Sequence, residues 1–320
     1  MVHGIHIEEM LKGLAAGHRR TLSRVITLIE SQREEDAEVK SLIMKSIGEW
    51  RKSAVKIGIT GSPGVGKSTF LNGFVQLFEG TPYQIAILSI DPSSTTTGGS
   101  ILGDKIRMTN LIEMEQVFIR PSPSKGILGG INVNTWETVL ICEAAGFDYI
   151  FIETVGVGQS EIEIQYLTNE VWYLTMARSG DEIQTMKRGL MEIVDRIIVT
   201  KVDLEPDEAR KTVKLMQQSL ESVHRGKDRI SFYTLTPFEK QSMQDLFGSL
   251  NSISRTPLNS DQLMHWMGKG FQDLILRKVQ SHARLKGLYE HLRQEIKNNK
   301  MNYWTAMEYL ANEIDDLWES

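Results

Sequence analysis

The sequence has almost no cysteine and no long apolar run. Cys142 is the single cysteine among 320 residues, so no disulfide can form within the chain. That composition suits a reducing cytosol. Cys142 lies in an apolar helical stretch, which predicts a core thiol rather than a nucleophile. Because no stretch approaches the length of a membrane span and residues 1–20 contain no long apolar segment, we expect a cytoplasmic protein with no membrane partner.

The chain also lacks an excess of positive charge. Its 36 Lys and Arg residues stand against 41 Asp and Glu residues, which gives a formal net charge of −5. A protein that binds nucleic acid usually carries a basic surface, so we expect no nucleic-acid partner. The length leaves room for one large α/β domain with helical additions, or for two domains.

The most informative stretch is a glycine-rich loop that fits G-x-x-x-x-G-K-[ST], a pattern that cradles the phosphates of nucleoside triphosphates. A β-rich run at 55–60 precedes the loop, and apolar residues at helical spacing follow it up to Phe78. Glycines allow backbone amides to face phosphate oxygens. We expect Lys67 to reach the β- and γ-phosphates and Ser68 to bind Mg²⁺. The residues predicted to bind nucleotide here are Gly61, Ser62, Pro63, Gly64, Val65, Gly66, Lys67, Ser68 and Thr69.

Apolar β-rich runs alternate with helical stretches from residue 54 to about residue 250. This alternation predicts an α/β fold of the P-loop NTPase class, with a mainly parallel central sheet flanked by helices. Ligand-binding residues should then follow the carboxyl ends of the strands. The predicted strands lie at 55–60, 85–90, 117–119, 149–152, 171–176, 196–200 and 230–235.

Helical patterns without strand signals occupy both ends of the chain. We predict an N-terminal helical extension at 1–50, a P-loop GTPase domain at 51–255 and a C-terminal helical segment at 256–320. The last segment has an apolar face that includes Trp304 and Trp318. Such a face either caps the core or forms a surface for dimerisation.

Acidic residues follow two of the predicted strands. Asp91 ends the second strand, and Asp104 lies in the polar, glycine-rich stretch behind it. Either carboxylate could hold metal-bound water or orient the attacking water, whereas a solvated loop with incidental acids is the alternative. Glu153 ends another strand, and Gly156 follows it three residues later, which resembles the D-x-x-G switch of GTPases with Glu for Asp. The predicted metal-site residues are Ser68, Asp91, Asp104 and Glu153, and the predicted catalytic residues are Lys67, Asp91, Asp104 and Glu153.

A base-reading segment is predicted at 200–203, after the strand at 196–200. Its sequence, Thr-Lys-Val-Asp, resembles the guanine-reading N-K-x-D motif. Asp203 would accept hydrogen bonds from guanine, and the stem of Lys201 would cover the base. Thr200 replaces the usual Asn, which weakens one base contact but leaves the specificity carboxylate in place. A second base-contacting loop is predicted at Thr236, Pro237 and Phe238.

Together these segments resemble the MeaB/ArgK family of P-loop GTPases, which are chaperones of mutases such as methylmalonyl-CoA mutase. The resemblance is carried by residues 61–69, 91–108, 118–130 and 153–161, and it extends over essentially the whole chain. It implies GTP/GDP and Mg²⁺ as ligands and slow hydrolysis that a partner accelerates. It also implies an adenosylcobalamin-dependent acyl-CoA mutase as partner, with gating of cofactor loading and protection, and a homodimer built through the C-terminal helices.

Several other functions stay open. A metal-insertion GTPase for nickel or cobalt enzymes usually has Cys/His ligand clusters, and the single cysteine argues against it. An ATP-dependent kinase linked to amino-acid transport would prefer ATP, whereas Lys201 and Asp203 favour guanine. A partitioning-type ATPase would carry a second lysine near the start of the phosphate loop, where Ser62 stands. If the protein hydrolyses almost no nucleotide without a partner, it would be a binding module rather than an enzyme.

Overall fold

The structure, a computed structural model, describes residues 2–31, 33–50, 52–91, 109–123, 131–154, 160–177, 188–203, 205–221, 230–235 and 240–319. The chain forms two compact units, residues 1–263 and residues 264–320. None of the helices in the described ranges is both long and apolar enough to cross a membrane.

A seven-stranded sheet is the centre of the first unit, and all its described pairings are parallel. The strand order is β3-β2-β4-β1-β5-β6-β7, so β1 lies in the middle between β4 and β5. This arrangement confirms the α/β fold predicted for the P-loop NTPase class. The strands are β1 Val55–Gly61, β2 Ile85–Asp91, β3 Val117–Pro123, β4 Tyr149–Glu153, β5 Glu170–Met176, β6 Arg196–Thr200 and β7 Ser231–Thr234.

Helices connect these strands, and three more helices precede the sheet. Parallel strands need such crossovers, because successive strands must start at the same edge. The described helices of this unit are α1 Val2–Ala15, α2 Arg19–Ile29, α3 Glu34–Ile47, α4 Lys67–Gln76, α5 Thr109–Ile112, α6 Val133–Ala144, α7 Ser160–Glu163, α8 Arg188–Met191, α9 Pro206–Glu221 and α10 Lys240–Gly248, with 3₁₀ turns at Ile164–Tyr166 and Ser249–Ser252.

An aromatic cluster fixes α4 against the sheet. Phe74 on α4 is fully buried, and its ring centroid lies 5.5 Å from that of Trp172 on β5 and 6.0 Å from that of Phe151 on β4. Every residue of β1 is buried as well. The loop at residues 62–66 is therefore anchored at both ends, by the central strand and by a well-packed helix.

The N-terminal helices pack on the same unit. Helix α2 buries an apolar stripe of side chains, and helices α2 and α3 both contact α6. Lys40 on α3 lies 2.6 Å from the carboxylate of Glu137 on α6, and Arg120 on β3 pairs with Glu30, the residue that follows α2. The buried stripe consists of Leu22, Val25, Ile26 and Ile29.

The second unit is helical in the part that the structure describes. Its helices are α11 (Ser260–Ser281), α12 (Ala283–Lys297) and α13 (Tyr303–Glu319), and α12 contacts α13. One face of α11 carries large apolar side chains that are more than half exposed to solvent. We call this set the α11 apolar face; it consists of Met264, Met267, Phe271 and Leu274.

Candidate nucleotide-binding site

The glycine-rich loop after β1 has the backbone geometry that its sequence predicts. Gly61 ends β1 with φ of 141°, and a Cβ added there would lie 2.2 Å from the carbonyl oxygen of Leu174 on β5. Gly64 and Gly66 have φ of 80° and 96°, in the left-handed region that favours glycine. A Cβ on either of them would meet no atom within 4 Å. Gly61 is thus required because β5 packs closely against it, whereas Gly64 and Gly66 are required by their backbone conformation in the loop.

Lys67 is the first residue of α4, and its side chain folds back over the loop. Its ammonium group donates to the carbonyl oxygens of Gly61 at 2.7 Å and Ser62 at 3.1 Å. The side chain is only 7% exposed. Because the N-terminus of a helix also carries partial positive charge, this loop combines a fixed cation with the backbone amides at the start of a helix. It is suited to bind phosphate groups.

A hydroxyl and a carboxylate meet beside the loop. Ser68 Oγ donates to Glu153 Oε1 at 2.7 Å, and Ser89 Oγ donates to Glu153 Oε2 at 3.4 Å. Glu153 ends β4 and is only 8% exposed. Hydroxyl and carboxylate oxygens are the ligands that Mg²⁺ prefers in nucleotide sites, where phosphate oxygens and water complete its shell. These residues therefore fit the predicted metal.

The predicted base-reading segment is joined to the glycine-rich loop by Thr200. Its hydroxyl lies 3.1 Å from the carbonyl oxygen of Val65 in the loop and 3.1 Å from that of Thr175 on β5. Lys201 follows with φ of 58°, an unusual value for a residue other than glycine, and its Nζ lies 3.3 Å from the sulfur of Met176. Lys201 and Asp203 are exposed at the carboxyl edge of the sheet, where nucleotide bases bind in α/β folds.

Several predicted site residues lie outside the described residues. Asp104, Gly156 and the loop of Thr236, Pro237 and Phe238 belong to this group. Asp91 is described as the last residue of β2, but its side chain is not. Their assignments as ligands therefore stay predictions.

Sequence reasoning missed two polar contacts of the site. Ser89 contacts Glu153, and Thr200 contacts Val65 in the phosphate loop. A sequence signal existed for the first contact, since Ser89 interrupts the apolar run 85–90 of a buried strand. No local pattern indicates the second contact, because it joins residues 135 positions apart in the sequence.

The fold and this loop define a P-loop NTPase, and comparison with known proteins identifies the family. The family described as "Methylmalonyl Co-A mutase-associated GTPase MeaB" matches residues 22–311. The chain belongs to this MeaB family, as its sequence motifs predict. It is therefore a GTPase that binds guanine nucleotide.

Individual relatives cover nearly the whole chain. It is 32% identical to "GTPase ArgK" of Escherichia coli (strain K12), over 98% of each chain. It is 33% identical to "Methylmalonic aciduria type A homolog, mitochondrial" of Caenorhabditis elegans, over 95% of this chain and 82% of that protein. Among solved structures, "Crystal structure of LAO/AO transport system kinase" matches 97% of both chains with a TM-score of 0.71 and 26% identity.

Proposed function

We propose that this GTPase is a chaperone that gates cofactor loading and protection of an adenosylcobalamin-dependent acyl-CoA mutase of the methylmalonyl-CoA mutase type. The observation that carries the proposal is the contact between Glu153, in a segment resembling a GTPase switch, and Ser68 of the phosphate loop. Glu153 ends a central strand, so the nucleotide state at Ser68 can be communicated to the carboxyl end of β4. The description of the matching family names the mutase. We expect the protein to act in the cytoplasm.

The metal site of this proposal uses oxygen ligands. Ser68 and Glu153 would hold Mg²⁺, Glu153 through a water molecule, and Asp91 and Asp104 are further candidates. Bound Mg²⁺ would neutralise charge on the phosphates. Lys67 already stands at the loop as a buried cation, where it would bind the β- and γ-phosphate oxygens. We therefore expect Lys67→Ala to abolish GTP hydrolysis, and turnover retained in that variant would place the site elsewhere.

Guanine selection is assigned to Asp203, with Lys201 covering the base. Calorimetry should show tighter binding of GTP than of ATP. Asp203→Asn should reduce that preference about tenfold to a hundredfold, because one carboxylate oxygen is replaced by an amide NH2 group that cannot accept, and a hydrogen bond to a charged group contributes about 1.5–3 kcal/mol. Asp207→Asn is a matched control, since Asp207 is exposed in the first turn of α9 and lies 3.8 Å from Arg210. Equal affinities for GTP and ATP in the unsubstituted protein would contradict the base assignment.

A homodimer is proposed through the C-terminal helices. The α11 apolar face is one argument, because a monomer rarely leaves so many adjacent large apolar side chains in water. Trp304 on α13 is 78% exposed and adds to the apolar surface of this unit. Sedimentation equilibrium should show a dimer that Phe271→Glu dissociates, whereas Lys269→Glu on the same helix should leave it intact. A monomeric protein at micromolar concentration would contradict this part of the proposal.

A second candidate is an ATP-dependent kinase linked to amino-acid transport. The name of the solved structure that matches 97% of this chain supports it. It predicts transfer of phosphate from ATP to a protein substrate, whereas the chaperone predicts hydrolysis of GTP to GDP and phosphate. Incubation with γ-labelled ATP and γ-labelled GTP separates the two, because only the kinase would leave label on protein.

A further inference from the structure

Ser89 is a hydroxyl residue in the otherwise apolar run 85–90 of β2. Its predecessors Ala86, Ile87 and Leu88 are fully buried, and Ser89 itself is only 5% exposed. A buried hydroxyl is costly unless it has a hydrogen-bond partner. The partner of Ser89 is Glu153, so its burial is tied to the nucleotide site rather than to the general core.

Strand register places these two residues side by side. Ser89 on β2 pairs directly with Glu153 on β4 in parallel register, so both side chains leave the same face of the sheet. The carboxylate then uses its oxygens separately. Oε1 accepts from Ser68 at 2.7 Å, and Oε2 accepts from Ser89 at 3.4 Å. One oxygen faces the phosphate loop while the other is held by the neighbouring strand.

The side chain of Glu153 is longer than that of aspartate, so its carboxylate needs the contact with Ser89 to stay in one orientation. Aspartate stands at this position in the D-x-x-G pattern, and glutamate has one more rotatable bond, so its carboxylate can take more orientations. We propose that Ser89 is a positioning residue that restrains Glu153, so that Oε1 stays directed toward Ser68 and the metal bound there. This inference rests on the proposed Mg²⁺ site.

Magnesium binding without turnover is the test. Thermal unfolding of the full chain with a non-hydrolysable GTP analogue should be measured over a range of Mg²⁺ concentrations. Ser89→Ala should raise the Mg²⁺ concentration needed for half of the stabilisation about twofold to threefold, the expected effect of losing one long hydrogen bond to a carboxylate. Affinity for GDP in EDTA should not change. Ser89→Thr, which retains the hydroxyl, should restore most of the Mg²⁺ affinity.

A matched control removes another buried hydroxyl. Thr138 on α6 is fully buried and donates to Asn134 of its own helix at 2.8 Å. Thr138→Val should leave the Mg²⁺ midpoint unchanged, even where it lowers the melting temperature. If Ser89→Ala and Thr138→Val shift the midpoint equally, the effect is general destabilisation and the proposal is overturned.

A double-mutant cycle with Glu153→Gln separates the two proposals. We expect Glu153→Gln to raise the Mg²⁺ midpoint and Ser89→Ala to add little on top of it. Additive effects, or a normal midpoint in Ser89→Ala alone, would overturn the role of Ser89 and leave the metal site standing. If Glu153→Gln has a normal midpoint, the Mg²⁺ site under the proposed function is wrong, and the role of Ser89 is wrong with it.

Discussion

The contact made by Thr200 gives a specific prediction about nucleotide affinity. Its hydroxyl lies 3.1 Å from the carbonyl oxygens of both Val65 and Thr175, and its proton can be donated to either. Thr200→Val keeps the shape of the side chain and removes the only group that makes this contact. The substitution therefore tests whether the base-reading segment and the phosphate loop act as one preformed site.

The magnitude follows from one lost donor and two carbonyl groups. An intramolecular hydrogen bond contributes about 1 kcal/mol, and a buried carbonyl left without its donor costs about 1–3 kcal/mol. Because Thr200 is half-buried, water can replace part of the loss, and we expect a decrease of about 1–2 kcal/mol in the free energy of unfolding. Since about 1.4 kcal/mol corresponds to a tenfold change in affinity, GDP affinity should fall about threefold to tenfold if most of this energy maintains the binding geometry.

Titration with a fluorescent GDP analogue measures the affinity, and thermal unfolding measures the stability. Thr200→Ser keeps the donor and should bind GDP nearly as the unsubstituted protein does. Thr138→Val is again the control for a lost buried hydroxyl, one that is bonded within its own helix. If Thr200→Val binds GDP within twofold of the unsubstituted protein, the contact does not organise the site and the reasoning is refuted.

Three further predictions concern the fold around the site. Gly61→Ala should prevent folding or greatly lower the melting temperature, because its Cβ would lie 2.2 Å from a backbone carbonyl of β5. Gly64→Ala is the control, because a Cβ there meets no atom within 4 Å. Thermal unfolding should show that Gly64→Ala costs only about 1–2 kcal/mol of backbone strain. Lys56→Met should destabilise by about 3–5 kcal/mol, because the ammonium lies 2.8 Å from the carboxylate of Glu143, with the two side chains 1% and 2% exposed. Denaturant unfolding should show that a second substitution, Glu143→Leu, recovers only part of the loss, because Glu143 also accepts a hydrogen bond from the buried backbone amide of Ala54 at 3.2 Å. Burial raises the pKa of the Cys142 thiol well above its usual range. Maleimide should therefore label Cys142 only at the rate at which the protein unfolds. Rapid labelling of the native protein at pH 8 would contradict the position of Cys142 in the core.

The fold could be predicted well because hydrophobic periodicity carries most of the signal. Each of the seven predicted strands overlaps a strand of the sheet, and the segment predicted to be helical at 256–320 contains the helices α11, α12 and α13. The main difference is β3, predicted at 117–119 but extending to Pro123. The end of β3 was predicted too early because Pro121 and Pro123 follow, and proline is rare inside strands. They are tolerated because β3 is an edge strand, whose outer side needs no backbone donor.

The site was predictable to the extent that its geometry is local. The left-handed glycines and the cation at the start of α4 follow from one short pattern, and the structure has them. The contact of Ser68 with Glu153 spans 85 positions, and that of Ser89 with Glu153 spans 64. Contacts between residues so far apart in the sequence depend on strand order and register, which hydrophobic periodicity does not specify. The side-chain contacts of the site therefore came only from the three-dimensional structure.

The most direct test of the proposed function is GTP turnover with and without a partner. The purified protein should be mixed with an adenosylcobalamin-dependent acyl-CoA mutase, and phosphate release from GTP should be compared with that of the protein alone. We predict that the mutase increases turnover and that Lys67→Ala removes both the basal and the stimulated rates. Unchanged turnover with every such mutase tested, at concentrations where the unsubstituted protein binds GTP, would contradict the proposal that this GTPase serves a mutase.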